Sequence, residues 1–256
     1  MKYVIAYDVG TTGVKTCLVS VGEKLRITGD AYGEYDLFVM EDGGAEQDAE
    51  QWWQAMCDTT RELVKRTGIS PDDIDGISFC SQMQGLVLVD REGSALRRPM
   101  SYMDQRAVKE MKECQGHGLQ ISGVNAGMLL RSLAVTHAAS TSVKDPLWKY
   151  KWVQKNEPEI FSRVYKWLDV KEYLICRCTG EFVMTRDSAY ATFLYDPRKG
   201  HECWSGPLCR MYGVDPEHLP RIIECTDVAG NLTDKAASQL GLAAGTKVYG
   251  GGGDAT

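Results

Sequence analysis

The sequence predicts an α/β domain, and three observations carry that prediction. Two Val/Ile/Tyr-rich runs, 3–9 and 14–21, flank the turn Gly10-Thr11-Thr12-Gly13. A capped amphipathic helix opens at Asp48 and is followed by two more apolar runs at 74–80 and 86–89. The second half then becomes mainly helical, without a repeat of about 20–50 residues that would point to a solenoid.

Taken in order, residues 3–21 form a hairpin, because glycines at both ends of a four-residue turn separate two strand-forming runs. Residues 25–39 supply a third, weaker strand. Asp48 is a good N-cap, and Gln51 three residues later completes a capping box. Trp52, Met56, Thr59 and Leu63 then share one helix face, and Gly68 with Pro71 just beyond ends the helix. Ile74–Cys80 and Leu86–Val89 read as strands, the second closed by the turn Asp90-Arg91-Glu92-Gly93. A helix is predicted over 104–114. From 119 to 146 the pattern is weak, with small residues and few long apolar side chains. Helices follow at 146–156, 170–178 and 234–240, and Val248-Tyr249 reads as a short strand.

Composition narrows the function classes. The 256 residues carry 29 Lys+Arg against 35 Asp+Glu, a net charge of −6, with 43% apolar and 9% aromatic residues. That is ordinary globular chemistry, and the acidity argues against a nucleic-acid platform, which needs a basic face. No run approaches the roughly 18 apolar residues of a membrane span, and Met1–Asp8 lacks the features of an export signal, so a cytoplasmic location is expected. Nine scattered cysteines without a Cys-x-x-Cys pair predict reduced thiols in place of a disulfide framework or zinc site. The histidines at 117, 137, 201 and 218 show no triad or ligand spacing, and neither a Walker A loop nor Gly-x-Ser-x-Gly occurs.

One segment invites phosphate chemistry on its residues alone. Around Gly10-Thr11-Thr12-Gly13, backbone N–H groups and hydroxyls are positioned to cradle phosphate oxygens, Asp8 to hold Mg²⁺ through water, and Lys15 to add a positive charge. A plain hairpin turn explains the same residues equally well. The end of the sequence leaves two readings open as well. Four glycines, Gly250–Gly253, then Asp254, form either a flexible tail or the point where a longer protein is cut at a domain boundary.

Several segments together resemble the FGGY carbohydrate kinases, most closely their xylulokinase branch. They are Asp8-x-Gly10-Thr11-Thr12-x-x-Lys15; Glu46-Gln47-Asp48 leading to Trp52-Trp53; Gln82-Met83-Gln84-Gly85; the run from Pro146 through Lys149, Trp152 and Asn156 to Phe161; Gly180-Glu181-Phe182; and Gly251-Gly252-Gly253-Asp254. The resemblance implies an actin-like, ribonuclease-H-like α/β domain with a mixed sheet flanked by helices. It implies a sugar-binding domain over residues 1–250, an inter-domain boundary starting at 251–256, and an absent second domain that supplies most of the ATP site.

The function implied is ATP-dependent phosphorylation of a sugar or polyol hydroxyl, with ATP and Mg²⁺ required. In that scheme Asp254 accepts the hydroxyl proton, although alone it reads as a solvated aspartate. Asp8, Gly10, Thr11, Thr12 and Lys15 face the phosphate and magnesium. Gln82, Met83, Gln84, Tyr102, Asp104 and Arg106 line the sugar pocket, with Asp104–Arg106 equally readable as a structural ion pair. Gln84 stands where xylulokinases carry His, and Tyr102 where they typically carry Trp, so the acceptor need not be xylulose. A homodimer is a further expectation, and a non-catalytic actin-like module is the alternative function.

Overall fold

The computed structural model describes residues 2–121 and 123–254; Ala255 and Thr256, within the expected boundary segment, lie outside them. The hairpin forms as the sequence predicts. Strand β1 (Lys2–Val9) pairs antiparallel with β2 (Gly13–Val21) in unbroken register, from Lys2 opposite Val21 to Val9 opposite Val14. Strand β3 (Arg26–Glu34) adds to β2, but the rest of the 25–39 run leaves the sheet. It forms β4 (Leu37–Val39), which pairs with β5 (Ala45–Gln47).

Helix α1 (Ala49–Thr67) covers one face of this sheet. Alternation along the strands buries Ile5, Tyr7 and Val9 beside Val14, Thr16 and Leu18, while Asp8 and Lys15 stay exposed on the other face. Two hydroxyl pairs pin helix to sheet, Tyr7 to Thr60 at 2.8 Å and Thr16 to Thr59 at 2.7 Å. The Asp48 carboxylate caps α1 by accepting from the Glu50 N–H, and Gly68 ends it with φ 66°. The expected capping box does not form, because the Gln51 amide is engaged with the side chain and N–H of Asp36.

Strand β6 (Ile74–Ser81) runs parallel to β1 on the side away from β2. The strand β7 (Val87–Val89) pairs instead with Lys166–Leu168, outside the main sheet. The seven-stranded mixed sheet runs in the order 228–231, 247–249, β6, β1, β2, β3, with Gly252–Gly253 continuing along β6. The second half is therefore less helical than its sequence suggests, since strands 228–231 and 247–253 return to the main sheet.

Helix α2 (Val108–Gln115) starts four residues later than expected, because Asp104 and Arg106 are held in the preceding turn. The weak stretch holds a short hairpin and a helix, α3 (Ala126–Thr136), capped by the Asn125 side chain. Helices α4 (Pro146–Asn156), α5 (Pro158–Phe161), α6 (Val170–Thr179) and α7 (Arg186–Ala191) follow, and Asp234–Leu240 is helical as predicted. One apolar cluster packs α1, α6 and Asp234–Leu240 on the main sheet. A second, built from β7, α4, Trp167 and the Gly206–Tyr212 helix, forms the lobe beside it. All nine cysteines are unbridged, no helix among the described residues is long and apolar enough to cross a membrane, and no metal-ligating cluster occurs among them.

Candidate active site

Register brings the two ends of the sequence together. Asp8 stands opposite Lys15 on β2 and opposite Cys80 on β6, and Cys80 stands opposite Gly252. Directly paired residues project from one face, so Lys15, Asp8 and Cys80 form a row, which Asp254 joins two residues beyond Gly252. The Asp254 N–H donates to the Ser81 carbonyl at 2.9 Å, and the Gln82 N–H donates to the Val9 carbonyl at 2.9 Å, locking the three strand ends side by side. Two strand spacings separate Asp8 from Asp254, about 10 Å across the sheet. The Cys80 thiol between them is pushed up by burial and then by the negative charges of Asp8 and Asp254.

The hairpin tip is braced from beneath. The Gly10 carbonyl accepts from Tyr35 Oη at 2.7 Å and Gln82 Nε2 at 2.9 Å, and the Thr11 carbonyl accepts from Gln47 Nε2 at 2.6 Å. Gln82 Nε2 also donates to Gln47 Oε1 at 3.1 Å. The amide of Gln82 therefore supports the turn; it does not line the cavity described below. The Gly10 N–H is likewise spent on the Gly13 carbonyl at 2.9 Å. The N–H groups of Thr11 and Thr12 have no partner among the described residues, and neither Asp8 nor Lys15 forms an ion pair among them. An acid, a cation and two free N–H donors at one exposed turn fit a magnesium-bound phosphate.

Beside this row lies a cavity of about 650 Å³ lined by Met83, Gln84, Tyr102 and Asp254 among the residues the sequence singled out. Tyr102 joins it to the hairpin, its hydroxyl 3.4 Å from Thr11 Oγ1. Met83 packs on the strand that ends in the acid: a Cβ on Gly253 would overlap the Met83 sulfur, so the side chain sits this close because that position is glycine. The opposite wall, from α7 and the residues after it, includes Asp187, Tyr190 and Phe193, which sequence reasoning missed.

Asp187 matters most of these. Its Oδ2 accepts from the Gly253 N–H at 2.6 Å, one residue before Asp254, and its Oδ1 accepts from the Thr185 hydroxyl. Burial alone would raise its pKa, but the Lys171 ammonium 3.5 Å away, with the Thr185, Gly253 and Ser188 donors, holds it below the ordinary value. Lys171 is itself buried, ion-paired with Glu172 at 2.6 Å. The sequence offers no cue for Asp187, because no element is predicted there; in the structure it opens the short helix α7, a position as often filled for helix-dipole reasons.

Asp104 and Arg106 do not line the cavity. Asp104 is fully buried and bonds the Ala45 N–H at 2.9 Å and Arg106 at 2.7 Å, while Arg106 reaches Glu46 at 2.6 Å. Arg97 bridges Glu46 and Glu157 at 2.5 and 2.7 Å. Of the two roles open in the sequence, the ion pair is the one observed: it fastens β5 to the turn that carries Tyr102.

A family model described as the FGGY family of carbohydrate kinases, N-terminal domain, matches residues 3–256. Among curated proteins, a xylulose kinase of Bacillus subtilis is 32% identical over 256 residues, covering 99% of this chain and 48% of the relative. A xylulose kinase structure from Rhodospirillum rubrum superposes with a TM-score of 0.85 at 26% identity, covering 99% of this chain and 50% of its own. A gluconate kinase structure from Lactobacillus acidophilus gives 0.84 at 25% identity, with 99% and 48% covered. The chain spans about half the length of these relatives.

Proposed function

The chain belongs to the FGGY family of carbohydrate kinases, and from that premise we propose that it is the sugar-binding half of an ATP-dependent kinase acting on a ketose or polyol hydroxyl. One observation carries the reading: Asp8 and Lys15 on one side and Asp254 on the other end neighbouring strands beside a single cavity. Ligands of open α/β sheets bind outside the carboxyl ends of the parallel strands; Asp8 and Asp254 stand at such ends, and Lys15 joins them from the start of antiparallel β2.

The residues divide the chemistry between them. Asp254 accepts the proton of the acceptor hydroxyl as that oxygen attacks, a general-base role for an exposed carboxylate at the cavity edge. Asp187 orients it through the Gly253 N–H. Lys15 and the Thr11 and Thr12 N–H and hydroxyl groups would neutralise and align the phosphate oxygens, and Asp8 would hold Mg²⁺ through water. Mg²⁺–ATP, when bound, supplies the phosphoryl group and spreads its charge. Gln84 meets acceptor hydroxyls, while Met83 and the aromatic wall take the apolar face of the carbon chain. The relatives are about twice as long as this chain, which supports a companion domain, and the nucleotide contacts this chain lacks are assigned to it.

Titrating the purified chain with D-xylulose, xylitol and gluconate is expected to give binding weaker than roughly millimolar for the best of them. Little or no phosphorylation is expected with Mg²⁺–ATP. Robust turnover by this chain alone contradicts the division of labour. In a kinase containing the chain and its companion domain, Asp254→Asn is expected to lower kcat about a hundredfold to ten-thousandfold while sugar binding persists. An unchanged kcat removes Asp254 as the base, whereas no turnover by the unsubstituted two-domain protein favours a non-catalytic actin-like module.

A further inference from the structure

We propose that Lys149 and Asp169, neither of which reaches the cavity, form a buried clamp that sets which acceptor the cavity takes, by fixing the backbone of Gln84. This rests on the sugar-binding reading above. Gln84 sits in the left-handed region, with φ 62°, a conformation that side-chain-bearing residues avoid unless their surroundings impose it. The imposition is visible on both sides of the residue. Asp169 Oδ2 accepts the Gln84 N–H at 2.8 Å, and Asp169 Oδ1 accepts the next N–H, of Gly85, at 2.9 Å. Lys149 Nζ donates to the Gln84 carbonyl at 2.6 Å.

Both clamp residues are buried on rigid elements. Asp169 is the N-cap of α6, where its Oδ1 also accepts from the Val170 N–H at 2.8 Å, and Lys149 projects from the middle of α4. They have 5% and 0% exposure, so each charge is taken out of water to hold one peptide. That is costly, and such a cost at a loop beside a cavity points to a positional demand. Gly85 completes the fit, since a Cβ there would stand 2.9 Å from Asp169 Oδ1.

The result is a Gln84 whose own N–H and carbonyl are both bonded, with the next N–H held as well, and a side chain bonded on none. The Gln84 amide makes no hydrogen bond to the described residues, and it lines the cavity. The clamped backbone fixes where this free amide starts, so only its side-chain rotamers remain to be ordered when it meets hydroxyl or carboxylate oxygens. Lys149 and Asp169 are thus positioning residues and Gln84 the specificity residue they present.

A double-mutant cycle tests this. Binding of D-xylulose, xylitol and gluconate to the chain is followed by saturation-transfer NMR, which reads weak complexes, for the wild type, Lys149→Met, Gln84→Gly and the double variant. Lys149→Met is expected to weaken the preferred ligand roughly tenfold to a hundredfold and to flatten the preference among the three. In the Gln84→Gly background the same change is expected to have no further effect. An equal loss in both backgrounds overturns the clamp, because Lys149 then acts through something else. Amide exchange supplies an independent readout: the Gln84 and Gly85 N–H groups are expected to be protected in the wild type and to lose protection in Asp169→Asn. Unchanged protection also overturns the proposal. If the wild type binds none of the three ligands yet its amide protection depends on Asp169, the clamp stands and the sugar-binding reading fails.

Discussion

A lysine with no carboxylate in ion-pair contact and no exposure is an electrostatic liability, and Lys149 shows its size. Burial pushes its pKa down to about 8, against the pull of Asp169, Asp104 and Asp145 and with the push of Lys144. Its folded pKa lies below its ordinary one, so the penalty is full below pH 8. Stability returns as pH rises from about 8 toward 10.5, because the unfolded chain then binds more protons than the folded one. Denaturation from pH 7 to 10.5 should therefore raise wild-type stability relative to Lys149→Met by about 3 kcal/mol. A constant difference between the two proteins contradicts the buried, unpaired state. At this scale the sequence was uneven. The resemblance singles out Asp8, Lys15, Met83 and Asp254 by motif, and Gln84 and Tyr102 as departures from it, and the structure gathers the first pair into one row with Asp254 and the others around one cavity. Lys149 lay within a motif of the resemblance but without a role, and Asp169 went unmarked, because a lysine within a helix and an acid before one look like ordinary surface and cap residues until burial is known.

Among elements, α1 shows how a correct boundary can rest on a partly wrong cause. The start at Ala49 and stop at Gly68 follow from cap chemistry that the sequence states openly. The reciprocal Gln51 contact does not form, because β3 and β4 bring Asp36 within 2.9 Å of that amide. Asp48→Ala should cost about 1 kcal/mol in thermal or denaturant unfolding. Gln51→Ala should spare the cap and instead loosen the Asp36 loop, seen as faster amide exchange at Asp36 with little change in overall stability. Equal losses from the two variants contradict this assignment. The region 119–146 was illegible for a different reason. Its helix α3 buries Ala126, Ser132 and Thr136, small or polar residues that leave little amphipathic signal, while Leu130 and Leu133 face outward.

For the molecule as a whole, the strands at 228–231 and 247–253 are what make the site. They cover the free edge of β6, and Ala236, Ala237, Leu240, Leu242 and Val248 complete the main core. A chain ending at Cys225 should lose cooperative unfolding and aggregate, as size-exclusion and calorimetry would report, because it exposes both that core and an unpaired strand edge. A soluble, cooperatively folding truncation contradicts the view that the second half is integral to the sheet. The sequence alone determined the α/β class, the hairpin and the ends of helices such as α1 and α6, since these depend on local periodicity and cap chemistry. Only the tertiary structure decided that Asp254 returns to the end of β6, that Gln82 braces the turn, and that Asp104 and Arg106 are a fastening. Strand register and burial arise from contacts between residues far apart in the sequence, such as Gln82 with Gly10 and Asp254 with Ser81, which no local pattern encodes.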